Sequence, residues 1–255
     1  MRKRFDRKME DQFSRQRMII REEGMRKLSS SRVAVFGLGG VGGYAAETLA
    51  RCGIGALDLI DHDRFSVTNL NRQLHAAHST VGMLKTEVVR ARILDINPDC
   101  RVTVFPVFYL PENAPDFHLA DYDYIIDAMD TVTAKLTLAE SAAKAGTPLI
   151  SSMGTGNKTD PSRLRITRIE QTSVCPLARI MRRECRKRGI TGLKAVWSAE
   201  TPLTPRPGAE TPVPADPAAP RRDTPGSIAF VPAAAGLLLA SEVVRDLLGP
   251  ILRTT

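Results

Sequence analysis

The segment RVAVFGLGGVG, residues 32–42, decides the fold of this chain. Four of its first five residues are apolar, which predicts a buried parallel strand over 32–36. Gly37, Gly39 and Gly42 follow in the pattern G-x-G-x-x-G, and a helix is expected from about 43 to 52. Such glycines allow a tight turn and bring backbone N–H groups at a helix N-terminus close to phosphate oxygens. The sequence therefore predicts an α/β fold with a Rossmann-like, mostly parallel sheet flanked by helices.

A carboxylate follows the second predicted strand. Residues 56–60 form this strand, and Asp61 comes directly after it, about twenty residues beyond the glycine loop. An acid at this position can hold the hydroxyls of a ribose. These features fit any nucleotide on a Rossmann-like sheet. Taken alone, they favour a dinucleotide-dependent dehydrogenase over an ATP-binding enzyme.

Two cations beyond Asp61 change that preference. Arg72 and Lys85 follow it, and Lys85 lies near the start of a predicted helix over 83–96. In isolation, Lys85 is best interpreted as an exposed helix lysine. A triphosphate, however, carries several negative charges, whereas a dehydrogenase needs no cluster of cations beyond the ribose acid. Together, Arg72 and Lys85 indicate ATP.

A second carboxylate follows a later strand. After a strand over 101–105, a fourth strand is predicted over 122–130, and Asp130 falls at its carboxyl end. Ligands of open α/β sheets bind at this end of the strands. A carboxylate there can hold Mg²⁺, which keeps waters and phosphate oxygens as its other ligands. Alone, Asp130 is equally well explained as the N-cap of a helix that starts at Thr131.

The order and spacing of these motifs resemble a known family over roughly residues 15–155. The glycine loop is followed by Asp61, by N-x-x-R-Q over 69–73, by Val81, Gly82 and Lys85, and by Asp130. This succession is similar to that of the ubiquitin-activating-type (ThiF/MoeB-like) adenylating enzymes, whose bacterial members activate small sulfur-carrier proteins.

The resemblance implies roles for particular residues and a subunit arrangement. It implies catalytic roles for Arg15, Arg72, Lys85 and Asp130. It also implies a nucleotide-binding set: Gly37, Gly39, Gly40, Gly42, Asp61, Asp63, Asn69, Arg72 and Lys85. Within these sets Asp61 holds the ribose, Asn69, Arg72 and Lys85 contact the phosphates, and Asp130 binds Mg²⁺. Arg15 is expected to reach the ATP site of the partner subunit across a homodimer.

The cysteines bear on the branch of this family. Sulfur-carrier adenylating enzymes commonly hold zinc with two C-x-x-C pairs, and many relatives have a cysteine that forms a thioester. The four cysteines here are Cys52, Cys100, Cys175 and Cys185, and no C-x-x-C occurs. Zinc is therefore not expected. Cys52 and Cys100 are interpreted as core residues, and a catalytic thiol is not expected at Cys175 or Cys185.

Several stretches in the second half of the chain resemble the branch of tRNA threonylcarbamoyladenosine dehydratases. These stretches are Asp160-Pro161, TSVCPLAR over 172–179, VWSAE over 196–200 and GSIAFVP over 226–232. Cys175 stands where that branch has Asp, and Trp197 where it has Phe. Neither change removes a nucleotide ligand. The resemblance now covers nearly the whole chain.

The distribution of charge is a separate indication. Residues 1–32 carry a net charge of +6 and residues 163–194 a net charge of +8, whereas the whole chain is +8. A basic helix is predicted around 179–188, which fits contact with a phosphate backbone such as that of tRNA. Its alternative interpretations are a solvated helix face and a surface that steers an acidic protein partner.

The chain is predicted to form one adenylating domain over 1–255. Residues 1–31 form a basic helical arm, 32–160 the nucleotide-binding core, and 161–255 a substrate and dimer part with a C-terminal strand extension. A proline-rich crossover loop over 201–225 is interpreted as a lid or a tRNA-contacting segment, or as a surface insertion. No secretory signal or membrane span is expected, and the cysteine pattern suggests the cytoplasm.

The resemblance implies that ATP, with Mg²⁺, activates the threonyl carboxylate of threonylcarbamoyladenosine in tRNA. Attack by the neighbouring carbamoyl group then closes an oxazolone ring, with net loss of water and without an enzyme thiol. Adenylyl and phosphoryl transfer both remain open, as does the need for a sulfur-transfer or helper protein. The histidines near the site, His62, His75 and His78, are interpreted as surface or packing residues. The alternatives are activation of a sulfur-carrier C-terminus and a noncatalytic nucleotide-binding scaffold.

Overall fold

The strands of the described chain form one sheet. The computed structural model describes residues 11–204 and 225–253. The strands are β1 (Arg32–Phe36), β2 (Ala56–Ile60), β3 (Arg101–Phe105), β4 (Tyr124–Asp127), β5 (Leu149–Ser152), β6 (Leu164–Arg168) and β7 (Lys194–Ser198). The α-helices of the described residues are α1 (Ser14–Ser30), α2 (Gly42–Arg51), α3 (Lys85–Ile96), α4 (Val132–Ala145), α5 (Pro176–Lys187) and α6 (Phe230–Leu248).

The sheet order is β3-β2-β1-β4-β5-β7-β6. All neighbouring strands are parallel except β6, which runs antiparallel to β7 at the edge of the sheet. The chain passes to one side of β1 for β2 and β3 and returns to its other side for β4. This reversal leaves a crevice at the carboxyl ends of β1 and β4, where ligands of such sheets bind. The predicted Rossmann-like architecture with a C-terminal strand extension is confirmed.

Both faces of the central strands are buried. Successive residues of a strand point to opposite faces, and β1 divides accordingly. Val33 and Val35 belong to a core that includes residues of α1, α2, α3 and α6. Ala34 and Phe36 belong to a second core with residues of α4. A third cluster packs α4 and α5 against Trp197 of β7. A continuously apolar strand such as β1 is typical of a sheet covered on both sides.

The predicted N-terminal arm is helical over part of its length. Helix α1 is interrupted at Arg21, whose φ of 57° and ψ of −177° are not helical. Residues 1–10 of the arm and residues 205–224 of the predicted proline-rich loop lie outside the described residues. In the described part of the chain, no helix combines the length and the apolar character needed to cross a membrane.

The fourth strand ends earlier than its sequence suggests. The prediction extends over 122–130, whereas β4 comprises Tyr124–Asp127. Asp127 accepts hydrogen bonds from Met129 N at 3.1 Å and from Lys135 Nζ at 2.9 Å. These contacts turn the chain out of the sheet before Asp130, which therefore lies in the loop between β4 and α4. Thr131, and not Asp130, is the N-cap of α4.

Candidate nucleotide-binding site

A cavity of about 910 Å³ lies at the carboxyl ends of the strands. It is lined by the glycine loop after β1, by residues after β2, by the loops after β4 and β5, and by the first residues of α5. Most of the predicted site residues lie on its wall: Gly37, Gly39, Gly40, Asp61, Asp63, Asn69, Arg72, Lys85 and Asp130. The cavity thus occupies the crevice that the sheet order creates.

The glycines of the loop serve two different purposes. Gly37 has a φ of 88°, and a Cβ there would lie 2.8 Å from Ala128 O. A Cβ at Gly42 would lie 1.7 Å from Gly37 O, so the fold itself requires both of these glycines. At Gly39, in contrast, the nearest neighbour of a Cβ is Gln73 Nε2 at 3.7 Å. The open space at Gly39 belongs to the cavity, where it permits close approach of a ligand to the backbone.

Asp61 binds the glycine loop. Its Oδ2 accepts a hydrogen bond from Leu38 N at 2.6 Å, and its Oδ1 accepts one from Asp63 N at 2.8 Å. The side chain is buried at the end of β2. A carboxylate has about four lone-pair sites, so these two bonds leave capacity for ribose hydroxyls. The same group can therefore shape the loop and receive a nucleotide.

Lys85 is a buried cation at the first position of α3. Its side chain is 6% exposed, and Nζ lies 2.7 Å from Asp63 Oδ2. The two residues are also joined through the backbone, since Lys85 N donates to Asp63 O at 3.0 Å. The predicted phosphate-binding lysine is thus neutralised by another residue of the predicted site. Asp63, at 50% exposure, is the solvent-facing partner of this pair.

Asn69 ends a short 3-10 helix over 67–69, and Arg72 lies in the turn directly after it. Arg72 Nη1 donates to Thr68 O at 2.8 Å and to Asn71 Oδ1 at 3.0 Å. Within the described residues, no carboxylate lies within ion-pair distance of Arg72. Burial lowers the pKa of this guanidinium below its ordinary value, and a guanidinium stays charged at neutral pH. Asn69 Oδ1 accepts from Ser66 N at 3.1 Å and fixes the turn.

Asp130 makes fewer hydrogen bonds and ion pairs than the other two carboxylates of the predicted site, Asp61 and Asp63. It is exposed, and Oδ1 accepts one hydrogen bond, from Thr131 Oγ1 at 3.3 Å. An exposed carboxylate beside a phosphate site fits the way in which Mg²⁺ is held. Asp61, His62 and Asp63 also place ligand atoms within 4.8 Å of one another. Asp61 and Asp63 are already occupied by backbone N–H groups and by Lys85, so Asp130 fits the ion better.

A fully buried ion pair lies below the loop that carries Asp130. Lys135 Nζ donates to Asp127 Oδ2 at 2.9 Å and to Ser151 Oγ at 3.1 Å, and the Ser151 hydroxyl donates to the same carboxylate oxygen at 2.6 Å. The side chains of Lys135 and Asp127 are 0% and 1% exposed. These contacts join α4 to the ends of β4 and β5. They fix the base from which the Asp130 loop projects.

The histidines occupy three different environments. His62 lies on the cavity wall, 4.4 Å in ring-centroid distance from Phe108 and edge-on to it. His75 is buried against Glu47, with Nε2 3.2 Å from Oε2. Burial lowers the pKa of His75, and the Glu47 carboxylate offsets only part of this effect. His78 is exposed in a short turn. His75 and His78 match their interpretation as packing and surface residues.

Arg15 and Gly42 do not line this cavity. Arg15 is exposed on α1, which packs against α6. This position is compatible with a role in a partner subunit, and that role stays a prediction. Gly42 begins α2 and contacts the loop from below.

Sequence reasoning missed part of the wall. Phe108 after β3, and the loop over 153–158 after β5, line the cavity. Lys158 is the charged residue of that loop. The glycines at 154 and 156, which follow the apolar residues Leu149 and Ile150, are a signal that could have pointed to this loop.

The C-terminal motifs have local structural explanations. Glu200 accepts hydrogen bonds from Thr159 N, Thr159 Oγ1 and Asp160 N. Burial acts to raise the pKa of Glu200, but these donors outweigh it and hold the pKa below its ordinary value. Cys175 is buried, lines the cavity and precedes Pro176 at the start of α5. Burial raises the pKa of the Cys185 thiol to about 11, so this residue is a protonated core thiol at neutral pH.

Helix α5 carries the basic surface. Its buried face consists of Ala178, Met181 and Cys185, its other faces carry five cations, and Arg188 at its C-cap is a sixth. Glu184 pairs with three of them, at about 3 Å each: Arg183, Lys187 and Arg188. Arg179 and Arg186 are exposed and, in the described chain, have no carboxylate within 4 Å. The helix begins at the cavity, so its basic faces extend away from the site.

The fold and the site define a Rossmann-like protein of the adenylating class, with a glycine loop, the cations Arg72, Lys85 and Lys158, and the exposed carboxylate of Asp130 around one cavity. The chain belongs to the ThiF family, whose model matches residues 13–254.

Named relatives cover most of the chain. A Bacillus subtilis (strain 168) protein named tRNA threonylcarbamoyladenosine dehydratase is 46% identical over 243 residues, which are 94% of this chain and 96% of that protein. An Escherichia coli (strain K12) protein of the same name is 38% identical over 72% of each chain. The crystal structure of E. coli tRNA N6-threonylcarbamoyladenosine dehydratase, TcdA, in complex with ATP superposes with a TM-score of 0.83, at 32% identity and over 96% of each chain.

Proposed function

We propose that this protein is an ATP-dependent enzyme that removes water from threonylcarbamoyladenosine in tRNA and closes it to the cyclic oxazolone form. One observation carries the proposal: a cavity with a glycine loop and three buried or half-buried cations lies at the carboxyl ends of the strands, in a chain that is similar, nearly end to end, to dehydratases of this name. Because its substrate is tRNA, we place the enzyme in the cytoplasm.

ATP is the second substrate in this proposal. The backbone around Gly39 would approach its phosphates, Asp61 would hold its ribose, and Arg72 would offset phosphate charge. Lys85 would add its charge to that of Arg72. Asp130 would hold Mg²⁺, which when bound supplies Lewis-acid stabilisation of the phosphate oxygens.

Activation solves a specific chemical problem. A carboxylate is a poor electrophile because its leaving group would be oxide. In the proposed first step, an oxygen of the threonyl carboxylate bonds to a phosphorus of ATP. The bond from that phosphorus to its bridging oxygen breaks, and the electron pair leaves with pyrophosphate in adenylyl transfer or with ADP in phosphoryl transfer. Arg72 and Lys85 would stabilise the charge that develops.

Ring closure completes the loss of water. The carbamoyl oxygen bonds to the activated acyl carbon, a carbamoyl N–H proton is lost, and the acyl C–O bond breaks, so that phosphate or AMP leaves with its electron pair and with one former carboxylate oxygen. No enzyme nucleophile is needed, which agrees with the burial of Cys175 and Cys185. The identity of a proton acceptor is left open.

We further propose that the enzyme is a homodimer. Met18 and Ile19 are 84% and 72% exposed on α1, close to Arg15. Adjacent exposed apolar side chains of this size favour burial against another protein surface. A second copy that covers them would bring Arg15 near a neighbouring ATP site. A sulfur-transfer or helper protein stays a prediction.

The proposal is tested with purified protein, ATP, Mg²⁺ and tRNA that carries threonylcarbamoyladenosine. Mass spectrometry of the digested nucleosides should show loss of one water from the modified nucleoside, and only when ATP is present. The sulfur-carrier alternative is tested in parallel with a carrier protein ending in Gly-Gly, by ATP-dependent release of pyrophosphate. Unchanged nucleoside mass under conditions where ATP is bound would refute the dehydratase proposal.

A further inference from the structure

Lys158 is a buried lysine on the cavity wall. It lies in the loop after β5, and only 2% of its surface is exposed. The described residues contain two other lysines of comparable burial, Lys85 and Lys135. Each of those has a carboxylate partner, Asp63 at 2.7 Å and Asp127 at 2.9 Å.

Lys158 differs because its charge is not paired. Its Nζ donates to Gly154 O at 2.5 Å. Within residues 11–204 and 225–253, no carboxylate lies within ion-pair distance of this ammonium. An ammonium has three donors, and the carbonyl uses one of them. A buried charge without a counterion is costly, so this position is suited to an anion supplied by a ligand.

The order of the strands indicates which anion. Asp61 follows β2, the glycine loop follows β1, Asp130 follows β4 and the loop of Lys158 follows β5. Neighbouring strands lie about 4.8 Å apart, so Lys158 is separated from the ribose acid by about three strand spacings. Asp130 lies between them. A nucleotide held by Asp61 and the glycine loop would therefore leave Lys158 on the far side of its phosphates.

That far side is also where the basic helix begins. Gly154 O accepts the hydrogen bond from Lys158 Nζ. A Cβ placed at Gly154 would lie 3.6 Å from Sγ of Cys175, which is the N-cap of α5. Arg179 and Arg186 project from this helix beyond the cavity. A nucleic acid that follows α5 into the cavity would meet Lys158 before it meets the ATP site.

We propose that Lys158 binds the threonyl carboxylate of the tRNA substrate and positions it for attack on phosphorus. This inference rests on the proposed function. The carboxylate and ATP are both anions and repel each other, and an ammonium between the RNA side and the phosphates offsets this repulsion. The two remaining N–H donors match the two oxygens of a carboxylate. Lys158 is thus a specificity residue for the modification and not for the tRNA body.

The test compares the binding of two tRNAs and of ATP. Dissociation constants are measured for tRNA with threonylcarbamoyladenosine, for the same tRNA with unmodified adenosine, and for ATP. The wild-type protein should bind the modified tRNA more tightly. Lys158→Met should weaken binding of the modified tRNA roughly 10- to 100-fold, with constants for unmodified tRNA and for ATP unchanged within about twofold. Lys158→Arg, which keeps the charge, should retain part of the preference.

The controls separate this role from others. Lys144→Met removes an exposed lysine on α4 and should change none of the three constants. If Lys158→Met fails to fold, Lys158→Gln replaces it, with the same expected pattern. An equal loss of ATP affinity would assign Lys158 to the polyphosphate and overturn the proposal, as would an unchanged preference for the modified tRNA. Failure of the proposed function would be recognised separately, because the wild-type protein would then not dehydrate the modified tRNA.

Discussion

The ammonium of Lys85 lies 2.7 Å from the carboxylate of Asp63 and is neutralised by it, whereas no carboxylate among the described residues lies within ion-pair distance of Arg72. Asp63→Asn should keep an oxygen acceptor for Lys85 while it removes a negative charge near the phosphates. Because Asp63 is half-exposed, we expect only a two- to fivefold decrease in the ATP Kd, about 0.5–1 kcal/mol. Isothermal titration calorimetry measures this change. Asp99→Asn, at an exposed position that precedes β3 and so lies at the amino ends of the strands, is the control, and weaker ATP binding by Asp63→Asn would contradict this account.

Asp130 and Cys185 should respond in opposite ways to replacement by alanine. Asp130→Ala removes the proposed Mg²⁺ ligand and should lower kcat by more than about 100-fold. Cys185→Ala should lower the free energy of unfolding by about 1–2 kcal/mol, because its side chain is buried, and leave kcat within about twofold. Turnover is measured by nucleoside mass spectrometry and stability by urea denaturation. Loss of turnover in a folded Cys185→Ala variant would establish a thiol mechanism instead.

Arg15 and Asp130 should complement each other across a dimer. Arg15→Ala and Asp130→Ala are each expected to be nearly inactive when assayed alone. After mixing and subunit exchange, half of the dimers would be mixed, and each would contain one intact site. Activity should then recover to about a quarter of the wild-type value. Recovery is assayed against time after mixing, with each variant mixed with itself as the control; no recovery despite subunit exchange would place Arg15 outside the partner's site.

The basic residues of α5 should contribute unequally to tRNA binding. Arg179→Gln with Arg186→Gln removes two unpaired charges and should raise the tRNA Kd. It should also reduce the slope of log Kd against log salt by about two. Arg183→Gln with Lys187→Gln removes the same formal charge, but Glu184 already pairs with both residues, so its effect should be smaller. Filter binding at several salt concentrations measures the tRNA Kd of both double variants. Equal effects of the two double variants would refute a specific role for Arg179 and Arg186.

Glu200 should make stability depend on pH. Its pKa in the folded protein lies below its ordinary value of 4.5, because backbone donors outweigh burial. The resulting stabilisation is complete above pH 4.5 and is lost as the pH falls through the lower, folded-state value. Glu200→Gln should therefore lower the free energy of unfolding by about 1 kcal/mol at pH 7, and this difference should shrink in acid. Urea denaturation at pH 7 and near pH 4 measures it, with the exposed Glu112→Gln as control; a constant difference would contradict the assignment.

The sequence predicts the sheet well because its signals are local. The strand before Gly37, the glycine spacing and the acids that follow strands each depend on a few adjacent residues. Lys158 could not be found in this way, because its significance lies in the absence of a nearby carboxylate, which only the folded chain reveals. The same is true of the pair formed by Asp63 and Lys85, which are 22 residues apart. Distances between loops set these relationships, and no periodicity encodes them.

The hydrogen bond from Leu38 N to Asp61 has a further consequence for how the protein meets its nucleotide. This bond is formed within the chain itself, between the glycine loop and the end of β2, and it restricts the conformations of the loop. The entropy of ordering this loop is lost when the chain folds and is not lost again on association. Asp61 thus stabilises the conformation of the glycine loop in addition to its predicted role as a ligand of ribose. A substitution of this residue would change both the conformation of the loop and the affinity of the site for the nucleotide.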